Sequence, residues 1–359
     1  MKKVIALVLA VAMLLCMAAC GSPAKTSAAA TTAPAAATTA AAATTKAAAA
    51  TSAAATTAAS TTQAASGDKP LVGISVPNNP TGWVAAVQWS AKNTADKLGL
   101  NYKLVASGDV NEQANQIDEL IQLGCKYIVL LPQNDELSVA AQKIMDAGIT
   151  LVNFDRSLGD VTPNYYVAGD NHGMGVLGGK YIQEKLGDKG GNVVIMNIPS
   201  YGAIFTDRVN GFKESVKDNK NIKILGEYAS DNGAPETVLP VMADVLTSNP
   251  QIDAIYSSDD EMSIGILQAI KEAGRTDIKV ITGGGGSQEY FKKMDEYKDI
   301  WVSSQTYPPY MINDCINLVQ GLIDGKKYDA KVTIPAQCVD RESYKAFMES
   351  YGITADAPY

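Results

Sequence analysis

The sequence predicts an α/β protein built as two doubly wound lobes, each a parallel sheet covered by helices on both faces. Three observations carry that expectation. Short apolar runs alternate with amphipathic stretches of 10–17 residues. The alternation runs through once, then restarts near residue 192 over a similar length. No long linker separates the two rounds. Apolar strands interleaved with helices imply βαβ units, and strands that read as continuous apolar runs imply burial on both faces.

In the first round, residues 71–76 are a short apolar run, and 81–98 have helical period with Trp83, Val87 and Ala91 on one side. Residues 102–106 read as strand, and 111–123 as helix with Ile117, Leu120 and Ile121 at core spacing. Residues 127–131 are a buried-type strand stopped by Pro132; 136–147 read as helix and 149–154 as strand. In the second round the strands are 192–197, 222–228, 252–256 and 278–282, with helices at 205–217, 235–246 and 262–273. His172 reads as a turn or cap residue opening a helix over 173–186, and a further helix is expected over 307–322.

Ligands of such sheets sit beyond the carboxyl ends of the strands, so the residues that follow each strand are the informative ones. They are Asn78, Asn79 and Trp83 after the first strand, Gln133 after the third, and Asp155 with Arg156 after the fourth. In the second half they are Asp231, Asn232, Asp259, Asp260, the Gly283–Gly286 run and Gln305. Carboxylates accept hydroxyl protons, Arg and amides donate back, and a Trp face covers the apolar side of a ring. The set therefore suits a neutral, hydroxyl-rich ligand. Each residue also has a plainer reading: Asp155 and Arg156 as a local ion pair or cap, Trp83 as core, Asp259 or Asp260 as a helix N-cap. The glycine run lacks the Lys and Ser/Thr of a phosphate loop and reads as a close-approach loop near the cleft.

Composition excludes much else. The 359 residues carry a formal charge of −8. Lys2, Lys3, Lys25 and Lys46 lie outside the globular part, so 26 basic against 38 acidic residues give the body −12. That is a poor match for nucleic acid or anionic lipid. The single His, His172, leaves one candidate base for nucleophilic triads and removes His-rich metal sites. No Cys-x-x-Cys pair is present, and Cys125, Cys315 and Cys338 read as buried thiols. No cofactor or metal is expected.

The N-terminus reads as an address. Lys2 and Lys3 precede an apolar run from Val4 to Ala19, shorter than the ~20 residues of a spanning helix. Small residues before Cys20 are similar to the bacterial lipoprotein signal, in which the Cys is acylated and becomes the mature N-terminus. Between Ala24 and Ser66, 23 of 43 residues are Ala and 12 are Thr. Such a tract cannot form a packed face, and residues 21–67 read as a disordered tether reaching at most ~150 Å.

From residue 70 to 350 the chain resembles the sugar-binding proteins of bacterial ABC importers, in the ribose-binding branch of the type I periplasmic binding fold. The resemblance rests on Val72-Gly73-Ile74-Ser75 with Asn78-Asn79-Pro80, Ala95-Asp96-Lys97-Leu98-Gly99, Asn153-Phe154-Asp155-Arg156, and Gly169-Asp170-Asn171. It continues through Asp207-Arg208 with Gly211-Phe212 and Asp260-Glu261-Met262 with Gly265. Thr81-Gly82-Trp83 is similar to a segment of galactofuranose-type binders.

The resemblance implies two lobes joined by a three-strand hinge, with crossings near Asp170, Gln305 and Pro335. The first lobe would hold residues 68–170 and 306–334, the second 171–305 and 335–359. Ligand contacts would come from Asn79, Trp83, Gln133, Asp155, Arg156, Phe205, Asn232, Asp259 and Gln305. Gly284, Thr206 and Leu131 stand where ribose binders carry polar contacts, which argues against plain ribose. The implied protein has no catalysis, acts as a monomer, and is anchored by Cys20 on the outer face of the cytoplasmic membrane. It would capture a monosaccharide by hinge closure and hand it to an ABC permease and ATPase complex. The rivals are a lipoprotein presenting ligand to a membrane sensor, a binder of a non-sugar small molecule, a transcription regulator sharing the ligand-binding core, and a glycosidase using Asp155 with Asp259.

Overall fold

A computed structural model describes residues 69–359 apart from Thr81 and Asp356. The signal over 1–20, with Cys20, and all of the 21–67 tether lie outside the described residues. The first round is β1 (Val72–Pro77), α1 (Gly82–Leu98), β2 (Tyr102–Ser107), α2 (Val110–Gln122), β3 (Tyr127–Leu130), α3 (Ser138–Asp146), β4 (Thr150–Phe154) and β5 (Tyr165–Gly169). The second is α4 (Asn171–Leu186), β6 (Gly191–Asn197), α5 (Ala203–Val216), β7 (Ile222–Ala229), α6 (Pro235–Ser248), β8 (Ala254–Ser257), α7 (Asp260–Glu272), β9 (Val280–Gly285), α8 (Gln288–Glu296) and β10 (Trp301–Thr306). The chain ends in α9 (Ile312–Ile323), β11 (Lys331–Ile334), β12 (Cys338–Asp340) and α10 (Tyr344–Tyr351).

The strands form two six-stranded sheets, ordered β11-β5-β4-β3-β1-β2 and β12-β10-β9-β8-β6-β7. Among the described strand pairs only β10 with β12 is antiparallel. The chain passes from one sheet to the other three times: after β5, after β10, and between β11 and β12.

Alternation along the strands explains the layers. Val72, Ile74 and Val76 of β1 face α1 and α9, meeting Val87, Ala91, Ile312, Ile316 and Val319. Ile128 and Leu130 of β3 point the other way, onto Ile117 and Leu120 of α2 and Ala141 and Ile144 of α3. The second sheet repeats this. Val193 and Ile195 meet α4 and α5 through Ile182, Val209 and Phe212, whereas Val194 and Met196 meet α6 and α7 through Val238, Met242, Ile266 and Ile270. The α4–α5 crossing is tight because Gly175 lies directly on the backbone of Arg208 and Phe212. A side chain at 175 would push α5, and with it Arg208, off the sheet.

Several elements were not legible as pattern. β11 and β12 are short and half-exposed, with no continuous apolar run. α9 starts at Ile312 rather than 307, because Pro309 holds Pro308 extended and the chain enters the helix only through a 3₁₀ turn over Pro309–Met311. α4 is capped by Asp170, whose carboxylate accepts the Gly173 N–H at 2.7 Å; His172 sits in the first turn and meets Glu214 at 3.1 Å.

The glycine run at the end of β9 is a carboxylate seat. Asp260 Oδ2 accepts the N–H groups of Gly286 and Ser287, both at 2.8 Å, and the Ser304 hydroxyl at 2.8 Å. Gly286 has φ +96°, and a Cβ at Gly283 would strike Asp260 and Tyr290. The amides that might have held a phosphate are thus used by the chain's own carboxylate, which ties α7, the β9 loop and β10 together. Burial pushes the Asp260 carboxyl up to about 7; the Ser287 amide opposes this, and neighbouring Asp259 adds to it. A carboxyl with a raised folded pKa binds its proton more tightly folded than unfolded. Its contribution to stability therefore declines as pH rises from about 4 to about 7. Melting curves across that range should show Asp260→Asn flattening the decline; an unaltered pH profile would mean that Asp260 does not titrate in the fold.

Candidate functional site

Asp155 stands just past β4, in a turn that few residues accept. Its φ is +64°, and it is the only non-glycine residue with positive φ among those described. The Arg156 N–H bonds the Phe154 carbonyl at 2.8 Å, closing a three-residue γ-turn of the rare, strained hand. Three further bonds hold it: Asp155 N–H to the Val167 carbonyl at 2.8 Å, the Tyr166 hydroxyl to the Asp155 carbonyl at 2.6 Å, and the Asn153 amide to the Arg156 carbonyl at 2.8 Å. The side chain is left 9% exposed, and its Oδ1 accepts the Tyr307 hydroxyl at 2.6 Å. Burial raises the Asp155 pKa; the Tyr307 hydroxyl and the charges of Arg156 and Arg208 work against that rise.

Arg156 does not share the pair directly. Its Nη1 donates to the carbonyls of Pro132 at 3.2 Å and Gln133 at 2.8 Å, pinning the loop after β3. Gln133 is held too, through its N–H to Gln113 and its amide to the Ser107 carbonyl, both at 2.8 Å. Trp83, half-buried on α1, stacks on Phe154 with centroids 5.9 Å apart and 7° between planes. It meets Tyr307 at 6.3 Å and gives its indole N–H to the Tyr307 carbonyl at 2.9 Å.

The second lobe contributes Arg208, buried on α5. Its Nε donates to Asn171 Oδ1 and its Nη1 to the Ser258 carbonyl, both at 2.9 Å. The guanidinium lies 4.6 Å from the Phe205 ring centroid and 5.3 Å from that of Tyr307. The Tyr307 ring and its charge on Asp155 place Arg208 against the first lobe. Asp259 caps α7 by accepting the Met262 N–H at 3.0 Å; burial raises its pKa, and the Met262 amide and Arg208 oppose the rise.

The residues singled out from sequence thus fall into two sets. Trp83, Asp155 and Phe205 meet around Tyr307 and Arg208, with Asp259 within electrostatic reach of Arg208. Arg156 also bears on Asp155 through its charge, while its Nη1 is engaged at the loop after β3. Asn232 accepts the Ala234 N–H at 2.9 Å and the Thr237 hydroxyl at 2.6 Å, shaping the start of α6. Gln305 is 1% exposed and donates to Ser303 at 3.1 Å and Cys338 at 3.4 Å, with its Oε1 buried and unpartnered. Asn79 is exposed beyond β1. Tyr307 was missed, although it lies two residues after Gln305 at a strand end and a double proline marks the loop.

Other features do not compete. One surface groove lies at the amino ends of β3, β4 and β5, lined by Tyr127, Thr150, Tyr165 and Tyr328. A second runs between α6 and α7. Among the described residues, no group of three His, Cys, Asp or Glu is placed to hold a metal ion, and no helix is long and apolar enough to cross a membrane.

Comparison with known proteins agrees with this architecture. The Ribose import binding protein RbsB of Salmonella typhimurium is 27% identical over 275 residues, covering 75% of this chain and 89% of that protein. The D-allose-binding periplasmic protein of Escherichia coli is 30% identical over 217 residues, 57% of this chain and 69% of that protein. A solute binding protein from Actinobacillus succinogenes, solved with bound D-allose, shares the fold. It has a TM-score of 0.68 and 21% identity, over 77% of this chain and all of that one. A profile described as a periplasmic binding protein domain matches residues 72–327, and with that match over most of the described residues the chain belongs to the periplasmic binding protein family.

Proposed function

We propose that the chain is the extracellular sugar-binding lipoprotein of an ABC importer, acting as a monomer and held to the membrane through an acylated Cys20. The observation that carries the reading is the Asp155 turn. A strained backbone, fixed by four hydrogen bonds, presents a carboxylate just past the carboxyl end of β4, bonded to Tyr307, whose ring neighbours both Trp83 and Arg208, and within reach of the Arg208 charge from the other lobe. Strain of that kind costs on the order of 1–3 kcal/mol and persists where the surroundings over-determine it. A carboxylate, an aromatic face and a guanidinium are the groups a sugar ring needs.

The relatives point the same way, since their names specify ribose and allose. Closure follows from where the groups come from. Asp155 and Trp83 ride on the first sheet, and Arg208, Phe205 and Asp259 on the second. A ligand touching both sets stabilises the closed arrangement over the open one. Binding without chemistry is supported by the family and by the engagement of both carboxylates with the chain's own donors. The lobes would divide at residues 170, 305 and 335, where the chain changes sheets.

Titration calorimetry on Asp155→Asn tests the reading. Asn tolerates positive φ and keeps the turn, but presents an amide where a ligand hydroxyl needs an acceptor. Affinity should fall about tenfold or more, the measure of a hydrogen bond to a charged group. Because burial raises the pKa of Asp155, its charge opposes folding at neutral pH, so the melting point should hold or rise. Wild-type affinity should itself weaken in acid as Asp155 takes up its proton. Unchanged affinity in Asp155→Asn would move the site elsewhere. Trp83→Ala should cost about 1–3 kcal/mol of binding, and also lower the melting point through the lost Phe154 stack. A lower melting point with full affinity would assign Trp83 to the core alone.

A further inference from the structure

We propose that Tyr307 sets the ligand class by covering Asp155 Oδ1 with its own hydroxyl and ring, so that the site selects a deoxy sugar over its fully hydroxylated counterpart. The inference rests on the sugar-binding reading and sharpens it.

Tyr307 belongs to the first lobe, packed in the core that includes Val76, Phe154 and Met311, so its bond to Asp155 does not await closure. Tyr307 is 4% exposed. The hydroxyl donates to Asp155 Oδ1 at 2.6 Å and accepts the Gly169 N–H at 3.3 Å, which leaves it no proton for a ligand. The ring is wedged between Trp83, at 6.3 Å, and the Arg208 guanidinium, at 5.3 Å. A Cβ at Gly169 would strike it, so the glycine is what admits the phenol.

A sugar ring placed over Asp155 therefore finds Oδ2 as its acceptor. Where a second hydroxyl would reach Oδ1, it meets a phenol already in place, with the Trp83 ring beside it. A C–H or methyl group suits that position. A hydroxyl there would be stripped of water with no partner, a penalty of about tenfold or more in affinity. Removing only the phenolic oxygen would reopen Oδ1 and leave a gap the size of one hydroxyl.

The test is titration calorimetry of the full chain and its Tyr307→Phe variant against matched pairs. These are D-galactose with D-fucose, L-mannose with L-rhamnose, and D-ribose with 2-deoxy-D-ribose. The wild type should prefer the deoxy member of the pair it binds by about tenfold, and Tyr307→Phe should erase or reverse the preference. The wild-type ratio stands by itself should the variant not fold. A wild-type preference for the hydroxylated member, or a ratio that Tyr307→Phe leaves unchanged, overturns the role of Tyr307 while sugar binding stands. Failure of every sugar to titrate with the wild type overturns the sugar reading, and this proposal with it.

Discussion

The hydrogen bond between Tyr307 and Asp155 is the constraint on which the rest of the site depends. It joins the end of β4 to the segment leaving β10, two places 152 residues apart in sequence. The tyrosine leaves the second sheet and turns back onto the first, so it lies where the chain changes lobes. Its carbonyl receives the Trp83 indole, its ring faces Arg208, and its hydroxyl receives the Gly169 amide. One side chain thus aligns a carboxylate, an aromatic plane and the guanidinium of the opposite lobe. The strained turn at Asp155 is tolerable because so many bonds converge on it.

Charge is handled economically in this part of the molecule. Asp155, Asp259 and Asp260 are all pushed up by burial, and each meets donors that restrain the rise. Asp260 ties the β9 loop to β10; Asp259 caps α7; Asp155 has Oδ2 left to accept. Arg208 bears on Asp155 and Asp259, with two of its donors fixed by Asn171 and Ser258. Groups arranged this way pre-pay their desolvation in folding, so that less remains to be spent when a ligand arrives. The same arrangement makes the carboxylates poor contributors to stability at neutral pH, a common consequence of building a site.

Much of this was legible in the sequence, and the reasons are specific. The β1 to β4 runs and helices α1 to α3 repeat a simple apolar period, so the alternation gave the doubly wound lobes and directed attention to the strand ends where Asp155 and Asp259 stand. What could not be read was direction and partnership. Arg156 looks like the natural neighbour of Asp155 but its side chain turns away to the β3 loop, because the γ-turn between them rotates one side chain against the next. Arg208 enters the sequence reading only as part of a helix motif with Gly211-Phe212, and nothing local reveals that Tyr307 will lie over it. Gln305 and Asn232 sit at strand ends as expected, yet short-range bonds to Ser303 and Thr237 occupy their side chains. The short β11 and β12 strands gain their place from pairing with β5 and β10 rather than from pattern.

The central claim is that this chain binds a small sugar between its lobes. A thermal-shift screen of the full chain against pentoses, hexoses, furanose-rich sugars, polyols and amino acids tests it most directly. Ligand at 100 times its dissociation constant contributes ~2.7 kcal/mol. For a body of this size that corresponds to a rise of about 5 °C in melting point. The account predicts such a rise for one sugar or a narrow set of related sugars and none for the amino acids. A rise confined to amino acids, with the sugars flat, would contradict it.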